Sequence, residues 1–214
     1  MEGVERKMRR NKHKLLRKIL LIVLSHFYDK KYLTGKYFDN EMTGYYWAIK
    51  SLFYQKILRF NPHVPWPISP FQVISNPKNI VFDPDDLMIF QFKGCYFQNF
   101  DAKIIIGNGT WIGPNVGLIT SNHDVHNLER HRKGENIVIG KNCWIGMNSV
   151  ILPGVELGDN TIVAAGSIVG KNRKFRIGNS IIAGNPAQIV YSIRKEVKCS
   201  PKTGQGNKEG NGLP

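Results

Sequence analysis

The chain has 214 residues, 42% of them hydrophobic and 21% charged, which is enough for one packed domain with a small appendage and too apolar for global disorder. Thirty Lys and Arg stand against 16 Asp and Glu, and the formal charge of +14 favours anionic partners such as nucleic acid, anionic lipid or a phosphorylated ligand. The longest apolar run, Ile19–Leu24, is far shorter than the ~20 residues that span a bilayer; the three cysteines, Cys95, Cys143 and Cys199, are odd in number and lack C-x-x-C spacing, which excludes a disulfide framework or structural zinc site and fits a reducing cytosol.

Basic Arg6–Lys18 followed by Ile19–Leu24 imitates a signal peptide, but Ser25-His26-Phe27-Tyr28-Asp29 offers no small-residue cleavage site. The pattern instead predicts a basic, partly amphipathic helix over 12–34, with eight Lys/Arg against two Glu in the first 18 residues. Such a helix either lies on an anionic membrane surface or docks on its own domain with a frayed basic tip. Residues 44–60, carrying Tyr45, Tyr46, Trp47, Ile49, Leu52, Phe53, Ile57, Leu58 and Phe60, predict a second apolar helix. Pro62, Pro65, Pro67 and Pro70 end it, because proline removes a backbone donor and clashes in a helix interior. The expected division is a helical, basic and aromatic region over 1–75, a main domain over 76–193, and a flexible tail over 194–214, rich in Gly, Asn and Lys.

Within the main domain an internal repeat emerges. Ile139, Ile145, Ile151, Leu157, Val163 and Val169 sit six residues apart without a slip. Three positions after each lie Asn142, Asn148, Gly154, Asn160, Gly166 and Asn172, and Gly109 and Asn115 hold the same offset upstream, after Ile106 and Ile112. Asn and Gly are the residues that tolerate a left-handed backbone. A corner every six residues, with a short strand between corners, makes a coil of three strands and eighteen residues. Ile145 then lies under Val163 and Ile151 under Val169, with Cys143, Ser149, Val155, Thr161 and Ser167 filling the same interior. A helix is excluded, since six residues advance it by about 600° and carry successive apolar residues off any stripe.

Leu118 continues the first run, yet the next aliphatic of the frame is Ile139, twenty-one residues on. Removing fifteen residues restores the frame and stacks Ile106 on Ile139, Ile112 on Ile145 and Leu118 on Ile151. A loop over about 121–135 is therefore extruded from one corner, and it holds three of the six histidines, His123, His126 and His131. Long loops on rigid scaffolds commonly carry function.

The hexads, the loop beginning Asn122-His123-Asp124-Val125-His126 and the closing Ile182-Ala183-Gly184-Asn185-Pro186-Ala187 resemble the hexapeptide-repeat acyltransferases over about residues 80–193. Within them the chain is most similar to the branch of galactoside and maltose O-acetyltransferases and bacterial surface-polysaccharide O-acetyltransferases. The resemblance implies a mainly β fold, a left-handed parallel β-helix, here with an N-terminal α-helical extension; the spacing alone leaves handedness open. It implies acetyl transfer from acetyl-CoA to a hydroxyl, with His123 as general base, no acetyl-enzyme and no metal. His126 is a reserve candidate near the acceptor. Asp101 matches an acidic residue that contacts the acceptor in relatives; the alternative is a turn cap. Trp144 matches an aromatic of the coenzyme site and points outward above Trp111, where interface packing is the plain alternative. Ala165 and Gly166 match small residues beside the pantetheine arm, or mark a tight corner. Gly170-Lys171 stands where relatives carry Thr-Lys, so Lys171 is assigned to the coenzyme phosphates without the neighbouring hydroxyl, with Lys174 and Arg176 as alternatives.

Outward Ile105, Val138, Val150, Ile162 and Ile168 leave an apolar stripe that cyclic association would bury, and the family resemblance implies a homotrimer with sites between coils. Pro62-His63-Val64-Pro65-Trp66-Pro67, leading to Asn79-Ile80, resembles polysaccharide-biosynthesis members, which implies a sugar acceptor in a capsule or other surface glycan, or its lipid-linked precursor. The expected location is cytoplasmic, with the basic helix at the inner membrane face. An amino-sugar N-acetyltransferase and a xenobiotic acetyltransferase use the same base and donor and are the nearest rivals. A γ-type carbonic anhydrase needs metal-binding histidines across subunits, whereas here none follows His131. A non-catalytic scaffold is the remaining class. Nucleic acid is disfavoured, because the basic residues cluster in the N-terminal helix and tail without an aromatic-basic recognition motif.

Overall fold

The computed structural model of the chain describes residues 15–193. The hexads wind into a prism with three five-stranded, parallel-paired faces. The first face stacks Val73–Ile74, Tyr96–Gln98, Gly117–Ile119, Val150–Ile151 and Ile168–Val169; the second stacks Ile80–Val81, Ile104–Ile106, Ile137–Ile139, Glu156–Leu157 and Lys174–Phe175. The third carries Trp111–Ile112, Trp144–Ile145, Thr161–Val163 and Ser180–Gly184, and closes with Ala187–Ser192, whose antiparallel return ends the coil. The expected stacking is observed residue for residue: Ile106 pairs with Ile139, Ile112 with Ile145, Leu118 with Ile151, Ile145 with Val163, and Ile151 with Val169.

All eight corner positions singled out above have positive φ, from 52° at Asn142 to 76° at Gly109. The chain reverses there because Asn and Gly enter the left-handed region at low cost. Between corners the aliphatic side chains point inward: Ile145, Ile151, Val163 and Val169 are fully buried, each contributing about 1.5–3 kcal/mol relative to exposure. Cys143, Ser149, Val155, Thr161 and Ser167 share that interior. Its hydroxyls are bonded to backbone: Ser149 Oγ donates to Ala164 O at 3.0 Å and Thr161 Oγ1 to Gly158 O at 2.7 Å. Burial raises the thiols of Cys95 and Cys143. Ile105, Val138, Val150, Ile162 and Ile168 face outward and are half-buried by their column neighbours.

Three features depart from the expected frame. After Phe175 the inward position slips by one to Ile182, and Gly178 and Asn179 both take positive φ at the intervening corner. Strand pairing begins at Val73, three residues before the expected start at 76, and the turns below the regular hexads are longer, with Ile74 paired to Phe97 and Ile80 to Ile104. The helix expected over 12–34 is shorter: within the described residues it ends at residue 24, and 12–14 lie outside them. It stops because Ser25 and His26 side chains bond the carbonyl of Ile22, Asp29 N donates to Pro65 O, and Tyr28 turns inward to donate to Ala48 O and Gln55 Oε1.

The second helix runs Thr43–Leu52 and widens through Phe53–Ile57 before the proline segment. Trp66 is fully buried among Tyr32, Phe82 and Phe90, and Phe90 reaches Phe97 of the first face, so one continuous apolar core joins the N-terminal region to the coil. The tail over 194–214 lies outside the described residues.

Candidate active site

The extruded loop leaves the corner between the first and second faces, after Ile119, and returns at Ile137. Its feet are held together where Glu135 N donates to Thr120 O at 2.8 Å. Two side chains of the coil below grip the two limbs. Buried Gln98 accepts at Oε1 from Thr120 N and Ser121 N, and its Nε2 donates to Ser121 O. Asp101 Oδ2 accepts from Gly134 N at 3.0 Å. A Cβ at 134 would run into the Asp101 carboxylate, so glycine permits this close return. Above the loop, Lys171 Nζ lies 2.8 Å from Glu135 Oε1, and this contact holds the Glu135 carboxyl below its ordinary range.

Between its feet the loop folds into an antiparallel hairpin, His123–Asp124 against Asn127–His131. The turn forms because Asp124 Oδ1 accepts from His126 N and Asn127 Oδ1 from Glu129 N, the short-range bonds these residue types favour in turns. His123 and His131 are cross-strand partners with ring centroids 4.2 Å apart, and Phe100 lies 6.1 Å beyond His131. His123 Nδ1 is 2.6 Å from the Leu128 carbonyl oxygen. A carbonyl only accepts, so Nδ1 carries the hydrogen, and in the neutral imidazole the lone pair is then on Nε2. Among the described residues no protein group bonds Nε2. An exposed imidazole in a fixed tautomer, with its basic nitrogen free, is the arrangement that general-base chemistry demands.

Beside this imidazole is an open depression of about 310 Å³ lined by Phe100, Asp101, Ser121, His131, Arg132 and Lys133. Asp101 is thus both a tether of the loop and part of the depression's lining. His126 sits at the exposed hairpin tip. Trp144 projects from the third face, half exposed and paired in register with Trp111. Ala165 and Gly166 form an exposed corner between the third and first faces, and a Cβ at Gly166 would meet open space. The chain therefore gathers Asp101, His123 and Lys171 at one corner and sets Trp144, Ala165 and Gly166 around another. Among the described residues no group of three or more His, Cys, Asp or Glu is placed to hold a metal ion.

Sequence reasoning named His131 only as a loop histidine and missed Gln98 and Leu128. Gln98 shows no signal in its own hexad; the Leu128 carbonyl and His131 ring take their roles from hairpin register, which the Asp124 and Asn127 turn residues would have indicated.

The stacked hexads form a mainly β fold of parallel eighteen-residue coils. Residues 136–171 match the family model for the bacterial transferase hexapeptide, six repeats. The chain is 38% identical over 113 residues to the galactoside O-acetyltransferase of Escherichia coli K12, covering 48% of this chain and 54% of that protein. It is 34% identical over 97 residues to the galactoside O-acetyltransferase of Lactococcus lactis subsp. lactis, covering 44% of this chain and 45% of that protein. A solved galactoside acetyltransferase in complex with coenzyme A superposes with a TM-score of 0.46 at 32% identity, over 60% of this chain and 62% of that one. The matched region is thus about half the length of these curated relatives.

Proposed function

We propose that the protein is an acetyl-CoA-dependent O-acetyltransferase acting on a sugar hydroxyl, with His123 as general base. The observation that carries this reading is the His123 tautomer, with Nδ1–H donated to the Leu128 carbonyl and Nε2 free on an exposed loop. The names of the E. coli and L. lactis relatives, both galactoside O-acetyltransferases, support acetyl transfer to a sugar hydroxyl. In the proposed step Nε2 takes the proton of the acceptor hydroxyl as its oxygen attacks the thioester carbonyl carbon. The carbon–sulfur bond then breaks, coenzyme A leaves as the thiol with the proton returned from His123, and the acetyl ester remains on the sugar. No acetyl-enzyme forms.

Asp101 and His126 are assigned to the acceptor, and Trp144, Ala165, Gly166 and Lys171 to acetyl-CoA. Because these groups occupy different corners of one coil, the assignment calls for a homotrimer in which a neighbour's third face completes the site; the exposed Trp111–Trp144 column supports that packing. The acceptor class is a surface-polysaccharide sugar or its lipid-linked precursor, and the N-terminal helix is assigned a peripheral contact with the inner membrane face. Among the described residues no helix is long and apolar enough to cross a membrane.

The test is thiol release from acetyl-CoA against a panel of neutral and amino sugars. His123→Ala is expected to lower kcat by roughly 10²–10⁴-fold with the oligomer intact. Undiminished turnover in that variant would remove the base assignment, and exclusive acetylation of amino sugars would replace the O-transfer reading.

A further inference from the structure

The helix Thr43–Leu52, with its extension to Ile57, is apolar on its outer face as well as its inner one. Its core face is made of Tyr45 with the small and polar residues Gly44, Ala48, Ser51 and Gln55, and Trp47 and Leu52 pack beside it. Outward, at spacings of three, four and four, it presents Tyr46, Ile49, Phe53 and Ile57, with Tyr46 63% and Ile57 69% exposed. Leu58 and Phe60 extend the apolar surface. The helix ending at residue 24 also has an apolar outer face, exposing Leu15, Leu16, Ile19, Ile22 and Val23, while Leu20, Leu21 and Leu24 pack on the core. The two lie side by side. Arg17, early in the first, donates to the carbonyls of Asp39 and Asn40 just before the second begins, and Tyr28, beyond the end of the first, reaches Ala48 and Gln55 further along the second.

Charge identifies the occupant of this surface. Residues 15–60, which carry both helices, hold eight Lys/Arg against three Asp/Glu, and the first 18 residues hold eight Lys/Arg against two Glu. A second copy seated here would bring like charges together in a protein already at +14. An apolar face with Lys50, Lys56 and Arg59 on the same helix and its end, and with Tyr46, Phe53 and Phe60 among its exposed side chains, fits the boundary between headgroups and acyl chains of an anionic bilayer. We propose that the two helices form one platform that inserts into an anionic lipid surface, with Ile49, Phe53 and Ile57 as inserted residues. This deepens the peripheral contact proposed for the first helix: it adds a second helix face and makes apolar insertion, beyond basic charge, part of the binding.

Flotation of the full chain with vesicles tests it. The protein is expected to float with vesicles of equal phosphatidylcholine and phosphatidylglycerol and to stay behind with phosphatidylcholine alone. The double substitution Phe53→Asn, Ile57→Asn alters exposed positions; it is expected to lower the partition coefficient roughly tenfold while thiol release on a soluble sugar and the Tm stay unchanged. Ile49→Lys separates insertion from charge, because it weakens binding if the face inserts and strengthens it if attraction is electrostatic alone. The proposal is overturned if the unsubstituted protein ignores anionic vesicles, if either substitution leaves flotation intact or improved, or if the double variant instead sediments as a smaller oligomer, which would make this face a contact between copies. Flotation does not depend on turnover, so its result stands apart from the acetyl-transfer reading.

Discussion

Asn148 isolates the backbone term that makes the coil turn. Its φ is 60°, its side chain is exposed, and no hydrogen bond engages that side chain among the described residues. Asn148→Ala therefore removes no side-chain hydrogen bond and leaves the conformation as the main cost. A non-glycine residue without Asn's local hydrogen bonding pays about 1 kcal/mol in the left-handed region. Asn148→Val adds β-branching at the same φ and is expected to cost about 2 kcal/mol. Asn148→Gly relieves the steric term but enlarges the freedom of the unfolded chain, so its net effect is within about 0.5 kcal/mol of the parent. For a chain of this size 1 kcal/mol moves Tm by about 2–4 °C. The order Gly ≥ Asn > Ala > Val can be read by thermal unfolding at one fixed protein concentration, which matters if the coils associate. An Ala variant as stable as the parent, or a Gly variant as weak as Ala, would refute the claim that corner conformation, and not side-chain contact, selects Asn here.

Two further outcomes follow from the loop and the upper coil. Asp101→Ala removes the acceptor for Gly134 N and is expected to speed amide exchange at Gly134 and Glu135 and to raise the acceptor KM about tenfold. Asp101→Asn keeps an oxygen there and is expected to recover most of the exchange protection; a loss equal to that of Ala in KM, with the loop still protected, would make Asp101 a direct acceptor contact only. Glu156 pairs with Lys174 at 2.7 Å and with Arg176, and these partners hold its carboxyl at about 2, below the ordinary 4.5. A depressed value stabilises the fold fully above the ordinary pKa, and that contribution is lost as pH falls through the folded one. Glu156→Gln is thus expected to flatten the dependence of Tm on pH between 4.5 and 2. An unchanged profile would show that solvent screens the pair completely.

What could be read from the chain was what repeats. Asn142, Asn148, Asn160 and Asn172 recur at a fixed offset because each corner imposes the same backbone demand, and the thirty-three residues between Leu118 and Ile151 separate into one eighteen-residue coil plus fifteen extruded. The irregular ends were illegible for the opposite reason. Gly178 and Asn179 are adjacent, both suited to a corner, so nothing in the sequence marks the one-residue slip that follows. Below the hexads, the short-turn helix Pro84–Phe90 abuts Trp111–Ile112 and Asp86 accepts from Gly109 N, a tertiary arrangement without a period. The site divides along the same line. Loop length and the presence of His123 follow from counting, whereas the state of its ring depends on a carbonyl five residues away and on a cross-strand neighbour, His131, eight away. Neither separation belongs to the coil; both are set by a turn built on Asp124 and Asn127 side chains. The coil thus fixes where the imidazole leaves the surface, and the hairpin fixes which nitrogen is basic. A substitution that loosens the hairpin while sparing the coil, such as Asn127→Ala, should therefore leave Tm nearly unchanged and still reduce turnover.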